Sequence, residues 1–265
     1  RTALLSEGDI VLRLHKPELS EIAAYKEGAI SISHLDPFNE RELIEAMASR
    51  KLTAISMEMI PRSTRSQKMD ALSSQANLAG YVMVMKAANE LSTILPMMMT
   101  PAGTLKPARV FIIGTGVAGL QAIATAKRMG AKVTAFDVRS VTAEQVESLG
   151  AKFLHIDLGE TGQTEDGYAN ELTPEQVAIQ QQAQKDEIAA SDIVITTAKL
   201  FGRKPPVIVP ADAVAGMKPG AVIVDMAAED GGNVVGSQAG ETVVTENGVK
   251  IVGTGNWAND CLLYT

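Results

Sequence analysis

The sequence predicts an α/β protein: a Rossmann-type domain with a doubly wound parallel sheet, and a second, truncated Rossmann-like or flavodoxin-like α/β domain. Short β-branched runs alternate with helix-forming segments along most of the chain, which is typical of parallel strands joined by right-handed crossover helices. In residues 109–137 a glycine-rich turn separates a strand from a helix, and an acidic residue follows the next strand. That order is the context which a dinucleotide-binding turn requires.

Each glycine of this turn has a separate physical task. The first strand ends at Gly114-Thr-Gly116-Val-Ala-Gly119, and residues 120–129 have helix-forming composition. Gly114 permits a tight turn, Gly116 lets the backbone approach a pyrophosphate, and Gly119 lets the helix pack closely on the strand. The free N–H groups and the positive dipole end at the helix start would hold the diphosphate without a basic side chain.

Asp137 stands at the end of the second strand, which the pattern places at residues 132–136. A carboxylate there can accept hydrogen bonds from ribose hydroxyls and would repel a 2′-phosphate. The position therefore favours NAD(H) over NADP(H), although the neighbouring Arg139 weakens that inference.

Composition excludes several classes of protein. The chain has 265 residues, of which 46% are hydrophobic, and this is enough for two domains with their own cores. A net charge of −7 without a basic run argues against nucleic-acid binding, and no apolar stretch is long enough to span a bilayer. The single cysteine, Cys261, indicates a reducing compartment. The histidines are scattered and C-x-x-C is absent, so no metal site is predicted.

Toward the start of the chain the pattern predicts three strands, a short helix begun by Ser20 and a helix begun by Asn39. A polar loop and a long helix that opens at Ser73 or Ser74 follow. From the residues alone, the loop is interpreted as a solvated connection. The predicted ranges are strands 9–14, 29–33 and 53–57, helices 20–25 and 39–50, loop 61–74 and connecting helix 73–95, all within an incomplete N-terminal domain of residues 1–96.

A proline- and glycine-rich linker, residues 97–107, leads into the Rossmann domain at residues 108–255, and residues 256–265 form a truncated C-terminal segment. Within the Rossmann domain, Pro174 marks a helix start, and Asn247-Gly248 is a strong hairpin signal. The remaining predicted elements are helix 142–149, strand 153–156, a loop at 157–167, helix 173–190, strands 193–196 and 222–226, and a hairpin at 243–252.

Several stretches together resemble one protein family. They are PRSTRSQKMDALSSQANLAGY at 61–81, MMMTPAG at 97–103, GTGVAGLQAIATAKR at 114–128, EQVESLG at 144–150, and Asp225 through Gly231-Gly-Asn233. The sequence resembles domain I, the NAD(H)-binding alpha component, of proton-translocating NAD(P) transhydrogenase, within the alanine dehydrogenase superfamily. The resemblance covers nearly the whole chain.

The resemblance implies that the 61–74 loop is functional after all and reaches over the nicotinamide. Arg62 and Gln67 would hydrogen-bond the carboxamide or ribose, Asp70 would pair with Arg62 to shape the loop, and Ser73 would lie nearby; these four are the candidate catalytic residues. The implied cofactor-binding residues are Gly114, Gly116, Val117, Ala118, Gly119, Asp137, Val138, Arg139, Gly167, Gln180 and Lys199.

The resemblance also implies the reaction. Hydride would pass directly from NADH on this chain to NADP⁺ on a partner domain, and a separate membrane domain would couple the exchange to proton translocation. This chain needs no triad and no metal, because the cofactors supply the chemistry while the protein supplies proximity. A homodimer is implied, without membrane insertion by this chain, at the cytoplasmic face of the bacterial inner membrane or on the mitochondrial matrix side.

The sequence departs from the family pattern in two places, and two alternative functions stay open. The family's first strands and its C-terminal return segment are missing, so we expect a destabilised first domain, and Trp257 and Cys261 receive no role. One alternative is an alanine dehydrogenase-like amino-acid dehydrogenase, because His34 falls where those enzymes place a catalytic histidine, although His15 or Lys16 matches their substrate lysine poorly. The other alternative is a non-catalytic NAD-binding module.

Overall fold

A computed structural model describes residues 2–61, 63–157, 173–199, 204–255 and 257. The α/β class and the parallel sheets that the sequence predicts are confirmed. The described residues fall into two compact units, one reaching to Gln75 and one beginning at Ala76. No helix among the described residues combines the length and apolarity needed to cross a bilayer.

The first unit contains a three-stranded parallel sheet in the order β1-β2-β3. Its apolar core joins β1, the helices and residues next to the strand ends, whereas the buried residues of the central strand β2 are Ser31 and Ser33. The elements are α1 (Thr2–Glu7), β1 (Ile10–Leu12), β2 (Ile30–Ser33), α2 (Arg41–Ser49) and β3 (Thr53–Ser56). The buried core residues are Leu5, Val11, Ile22, Tyr25, Ala29, Leu35, Leu43, Met47 and Leu52.

Two predicted helix starts in this unit are wrong by one or two residues. The short 3-10 helix Leu19–Ala24 begins after Glu18 rather than at Ser20, because the Glu21 carboxylate accepts the Glu18 backbone N–H at 3.0 Å. Helix α2 begins after Glu40 rather than Asn39, whose side-chain amide instead donates to Asp36 at 2.9 Å. In both places another polar contact replaces the expected cap.

The long helix α3 (Ala71–Glu90) starts before the predicted Ser73 or Ser74 and stops before residue 94. The carboxylate of Asp70 accepts the backbone N–H of Ser73 at 2.9 Å, so Asp70 acts as the N-cap. The serines predicted to open the helix therefore lie inside its first turn.

The predicted linker 97–107 contains an element that sequence reasoning missed. Strands β4 (Met98–Thr100) and β5 (Gly103–Leu105) pair antiparallel as a two-stranded hairpin. The strand pattern is weak because every residue of both strands is exposed, so no buried face imposes an alternation.

The second unit is built on a seven-stranded sheet in the order β11-β12-β10-β9-β6-β7-β8. All its strand pairs are parallel except β11–β12, which is the hairpin predicted from Asn247-Gly248. The elements are β6 (Arg109–Ile113), α4 (Val117–Arg128), β7 (Lys132–Phe136), α5 (Ala143–Ser148), β8 (Lys152–Phe153), α6 (Pro174–Ala190), β9 (Ile193–Thr196), α7 (Ala211–Ala215), β10 (Val222–Asp225), β11 (Thr242–Val244) and β12 (Lys250–Val252).

The strand order reverses at β6, since β7 and β8 lie on one side of it and β9 and β10 on the other. Such a switch point leaves a crevice at the carboxyl ends of the strands, where ligands of open α/β sheets bind. Strands β9 and β10 are buried along their whole length, with apolar clusters on both faces of the sheet. The crevice thus lies at the end of a sheet whose central strands are fully buried.

Candidate dinucleotide site

The glycine turn follows β6 directly, and its first and last glycines are required by the backbone. Gly114 has φ +98°, a left-handed conformation that other residues rarely adopt. A Cβ added at Gly119 would lie 1.9 Å from the carbonyl oxygen of Gly114, so only glycine lets α4 approach the turn this closely. Both structural tasks predicted from the sequence are confirmed.

The middle glycine opens the turn to the crevice. Gly116 is the N-cap of α4, and a Cβ added there would meet no atom within 4 Å. The first backbone N–H groups of α4, from Val117, Ala118 and Gly119, have no partner within the helix, and together with the positive end of the helix dipole they would stabilise an anion placed there. These features fit a diphosphate of a dinucleotide, as the sequence predicts.

Asp137 follows β7 and is fixed by five hydrogen bonds. One carboxylate oxygen accepts the backbone N–H and the hydroxyl of Thr115 at 2.8 and 2.9 Å and the guanidinium of Arg139 at 3.0 Å. The other accepts the backbone N–H and Nε of Arg139 at 2.9 and 3.0 Å. Burial raises the pKa of Asp137, but the bonds from Arg139 and Thr115 outweigh it and hold that pKa below its usual value.

This geometry explains why Arg139 does not argue against the predicted preference for NAD(H). Its guanidinium makes a two-pronged pair with Asp137, and its side chain is 59% exposed. The charge on Arg139 is already balanced, which supports the predicted preference for NAD(H). Val138, between them, is 75% exposed.

Three threonines that sequence reasoning missed support this site: the buried Thr115 and Thr142 lie beside Asp137, and the half-buried Thr197 contacts the glycine turn. The Thr115 hydroxyl lies 2.7 Å from that of Thr142, which donates to the Arg139 carbonyl at 2.8 Å. Thr197, after β9, donates to the Gly114 carbonyl at 3.0 Å. The available signal is positional, since Thr115 and Thr197 follow strand ends at the crevice.

A second network lies after β9 and β10. Asp225 is completely buried and accepts the backbone N–H groups of Ala227 and Asn233 at 3.0 and 2.9 Å. The Asn233 amide donates to the carbonyls of Ala198 and Pro206 at 3.0 and 2.8 Å. The motif residues Asp225 and Asn233 thus shape the loops at the strand ends.

Three other residues that the resemblance implies as cofactor neighbours, Lys199, Gln180 and Gly167, lie outside the glycine turn in the sequence. Lys199 follows β9 and pairs with Asp230 at 2.7 Å, and Gln180 lies half-buried on α6. Gly167, like most of the 157–167 loop, is outside the described residues. The roles of these three residues stay predictions.

The 61–74 loop belongs to the first unit. Arg62 is outside the described residues, so its expected pair with Asp70 is not tested. Gln67 begins the 3-10 helix Gln67–Met69 and is exposed. Asp70 bonds the Ser73 hydroxyl at 2.6 Å in addition to the Ser73 N–H. The loop therefore runs into α3 through a fixed cap.

Among the described residues, no cluster of histidine, cysteine and acidic side chains could hold a metal ion. The arrangement can bind a dinucleotide through the glycine turn, the start of α4 and Asp137.

Comparison with known proteins decides the family. The model described as Alanine dehydrogenase/PNT, N-terminal domain, matches residues 1–79, and the C-terminal domain matches residues 83–261. The chain belongs to the alanine dehydrogenase/PNT family.

Within this family the chain is similar to transhydrogenase components. It is 49% identical over 259 residues to the first part of NAD(P) transhydrogenase subunit alpha of Rhodospirillum rubrum, covering 95% of this chain and 67% of that one. It is 42% identical to NAD(P) transhydrogenase subunit alpha of Haemophilus influenzae, covering 95% and 49%. The chain thus spans about two thirds of the first relative and about half of the second.

Two solved structures of this family are similar to the chain. The crystal structure of transhydrogenase from Sinorhizobium meliloti has a TM-score of 0.87 at 47% identity, covering 98% of this chain and 70% of that one. An L-alanine dehydrogenase structure has a TM-score of 0.75 at 25% identity, covering 96% and 67%.

Proposed function

We propose that this chain is the NAD(H)-binding component of a proton-translocating NAD(P) transhydrogenase. It presents NADH for direct hydride transfer to NADP⁺ on a partner domain, and a separate membrane domain couples this transfer to proton movement. The similarity to the Rhodospirillum rubrum subunit alpha component, 49% identical over 95% of this chain, carries the proposal. The glycine turn and the anchored Asp137 supply the physical means.

In this proposal the residues bind and orient, while the nicotinamide supplies the hydride chemistry. The N–H groups at the start of α4 hold the diphosphate, and Asp137 accepts the adenosine ribose hydroxyls. Arg62, Gln67, Asp70 and Ser73 hold the nicotinamide end, so that its reactive face points toward the partner. Catalysis then comes from proximity and orientation, because no residue has to exchange a proton.

The partners follow from the same argument. An NADP(H)-binding domain must dock where the nicotinamide is exposed, and the membrane proton channel must connect to that domain. The names of the relatives contain the word subunit, which supports assembly with other chains. We propose a homodimer, attached peripherally at the cytoplasmic face of a bacterial inner membrane or on the matrix side of mitochondria.

Isotope tracing tests the proposal directly. The chain is mixed with an NADP(H)-binding component of a transhydrogenase, NADP⁺, and NADH that carries deuterium on its transferring carbon, in ordinary water. Direct transfer predicts that the NADPH formed retains the deuterium. Gln67→Ala should slow this transfer more than it weakens NADH binding. Gln182→Ala, an exposed glutamine on α6 that bonds Asp186, is the matched control and should change neither.

Loss of the label to water would contradict direct transfer. NADH binding without any transfer would instead support the non-catalytic NAD-binding module.

An alanine dehydrogenase-like activity is the second candidate, because the chain is 29% identical to alanine dehydrogenase 2 of Staphylococcus aureus. His34 follows β2 and its side chain is 39% exposed. However, Lys16 is held by Glu40 and lies 3.8 Å from Asp36, so two carboxylates already occupy it. Turnover of pyruvate and ammonium with NADH, abolished by His34→Ala, would establish this alternative.

A further inference from the structure

Glu58 lies between β3 and the polar loop, in the 3-10 helix Met57–Met59. Its side chain is only 6% exposed, which is unusual for a carboxylate. A buried charge needs strong partners to be tolerated. Its contacts therefore indicate what the residue does.

One oxygen of Glu58 holds the turn between β2 and α2. It accepts the backbone N–H of Leu35 at 2.7 Å and that of Asp36 at 2.5 Å. Asp36 has φ +49°, a conformation that costs energy in a residue other than glycine. The carboxylate thus fixes a strained backbone turn from the neighbouring strand end.

The other oxygen of Glu58 faces His34, whose Nδ1 is 3.6 Å away. Burial raises the pKa of Glu58, but hydrogen bonds to the carboxylate, among them those from the Leu35 and Asp36 N–H groups, outweigh it, and the pKa lies below its usual value. The carboxylate is therefore ionised at neutral pH. Hydrogen bonds to a charged acceptor are the stronger kind.

We propose that Glu58 is a positioning residue. It fastens the short segment between β3 and the 61–74 loop to the β2–α2 turn. Three residues separate Glu58 from Arg62, so a shift of this anchor is transmitted to the start of the loop. The inference rests on the proposed function, in which Gln67 and Asp70 hold the nicotinamide. Glu58 itself touches neither substrate nor cofactor in this account.

The first test does not depend on the reaction. Trypsin can cut the loop after Arg65 and Lys68, and mass spectrometry measures these cuts relative to cleavage after Lys26, an exposed position of the same unit. Glu58→Gln should raise loop cleavage about tenfold, since a charge-assisted bond is lost. Amide hydrogen exchange at Leu35 and Asp36 should also accelerate. Glu45→Gln, an exposed glutamate on α2, should leave both readouts unchanged.

The second test measures deuteride transfer in the reconstituted mixture. Glu58→Gln should lower kcat about tenfold, while the dissociation constant of NADH changes less than about twofold, because the diphosphate and ribose contacts lie elsewhere in the chain. Glu58→Asp, which keeps the charge, should recover some of the rate.

Unchanged loop cleavage and exchange in folded Glu58→Gln would overturn the proposal. So would an equal loss of kcat and NADH affinity, since it would indicate general damage. If the unmodified chain supports no transfer, the proposed function fails, but the cleavage and exchange rates still decide whether Glu58 anchors the loop.

Discussion

Asp137 shows how a single residue can be both a structural anchor and a binding group. Its carboxylate accepts Thr115 from the glycine turn and Arg139 from its own strand end. The same oxygens would accept ribose hydroxyls in the proposed complex. A residue with two such tasks should reveal them separately in stability and in binding.

Asp137→Asn should lower the free energy of unfolding by about 1–3 kcal/mol, because an amide replaces one acceptor oxygen with a donor that faces the Arg139 and Thr115 donors. NADH binding should weaken as well. Urea denaturation and calorimetric titration measure the two effects. Asp186→Asn, at an exposed position of α6, is the control, and a variant as stable as the parent would contradict the anchoring role.

The same pair of proteins tests the pH dependence of this anchor. Because folding lowers the pKa of Asp137, its stabilisation is present above the unfolded pKa, about 3.9. It is lost as the pH falls through the lower folded value. The stability difference between the parent and Asp137→Asn should therefore be full at about pH 6 and shrink below about pH 4. A difference that grows on acidification would be inconsistent with this.

Gly119→Ala tests the packing of the turn. The new methyl group would lie 1.9 Å from the Gly114 carbonyl, so α4 must move away from β6. We expect a loss of about 1–3 kcal/mol or more in unfolding free energy and weaker NADH binding, since the diphosphate site moves with the helix. Ala126→Gly in the same helix is a useful comparison, because it also destabilises but leaves the turn in place. Intact NADH affinity in Gly119→Ala would refute this account.

At the level of elements, Asp70 connects the 61–74 loop to helix α3. The carboxylate caps the helix by accepting the Ser73 N–H and hydroxyl at 2.9 and 2.6 Å. The family resemblance implies that Asp70 shapes the nicotinamide loop, while the sequence pattern places the start of the helix at Ser73 or Ser74. Capping and charge can be separated because asparagine is also a good N-cap.

Asp70→Ala should therefore cost about 1 kcal/mol of stability, whereas Asp70→Asn should cost less than about 0.5 kcal/mol. If the charge serves the nicotinamide end, both variants should slow deuteride transfer. Thermal unfolding and the transfer assay, measured on the two variants side by side, check this. Full transfer by Asp70→Asn would show that Asp70 only caps the helix.

At the level of the whole molecule, the two units differ in how completely their sheets are buried. In the first unit, β1 exposes Ile10 and Leu12 at 59% and 72%, and β3 exposes Ile55 at 41%. In the second unit, β9 and β10 are buried throughout. Buried apolar area is the main source of stability, so the second unit should resist opening more strongly.

Native-state hydrogen exchange should accordingly show weaker protection in residues 9–58 than in residues 110–137. Trp257, the one tryptophan of the chain, is 4% exposed and donates to the Met226 carbonyl at 3.3 Å, so its fluorescence reports on the second unit. In urea, the loss of first-unit exchange protection should precede the fluorescence change. Equal protection of the two segments would contradict the prediction.

Local sequence determined much of the Rossmann unit. Strands β7 and β9 have the predicted bounds, 132–136 and 193–196. Strand β9 is buried throughout and accordingly shows an apolar run of three residues, whereas β7 is marked by its place between the end of α4 and Asp137. The glycines at 114 and 119 were predictable since their tasks follow from backbone sterics alone. The start of α6 was equally predictable, because Pro174 occupies its first position and Thr173 with Gln176 forms a capping box.

Tertiary structure decided what depends on distant partners. Glu58 and the β2–α2 turn, Thr115 and Asp137, and Thr197 and Gly114 meet only because parallel strands bring their ends to one edge. The cap at Asp70 and the exposed β4–β5 hairpin are local features, but aspartate and serine are equally good N-caps and the hairpin buries no face, so the sequence pattern did not favour either feature over its alternatives. Spacing along a chain encodes backbone preference and burial, whereas the pairing of polar groups is set by contacts that form only after the chain has folded.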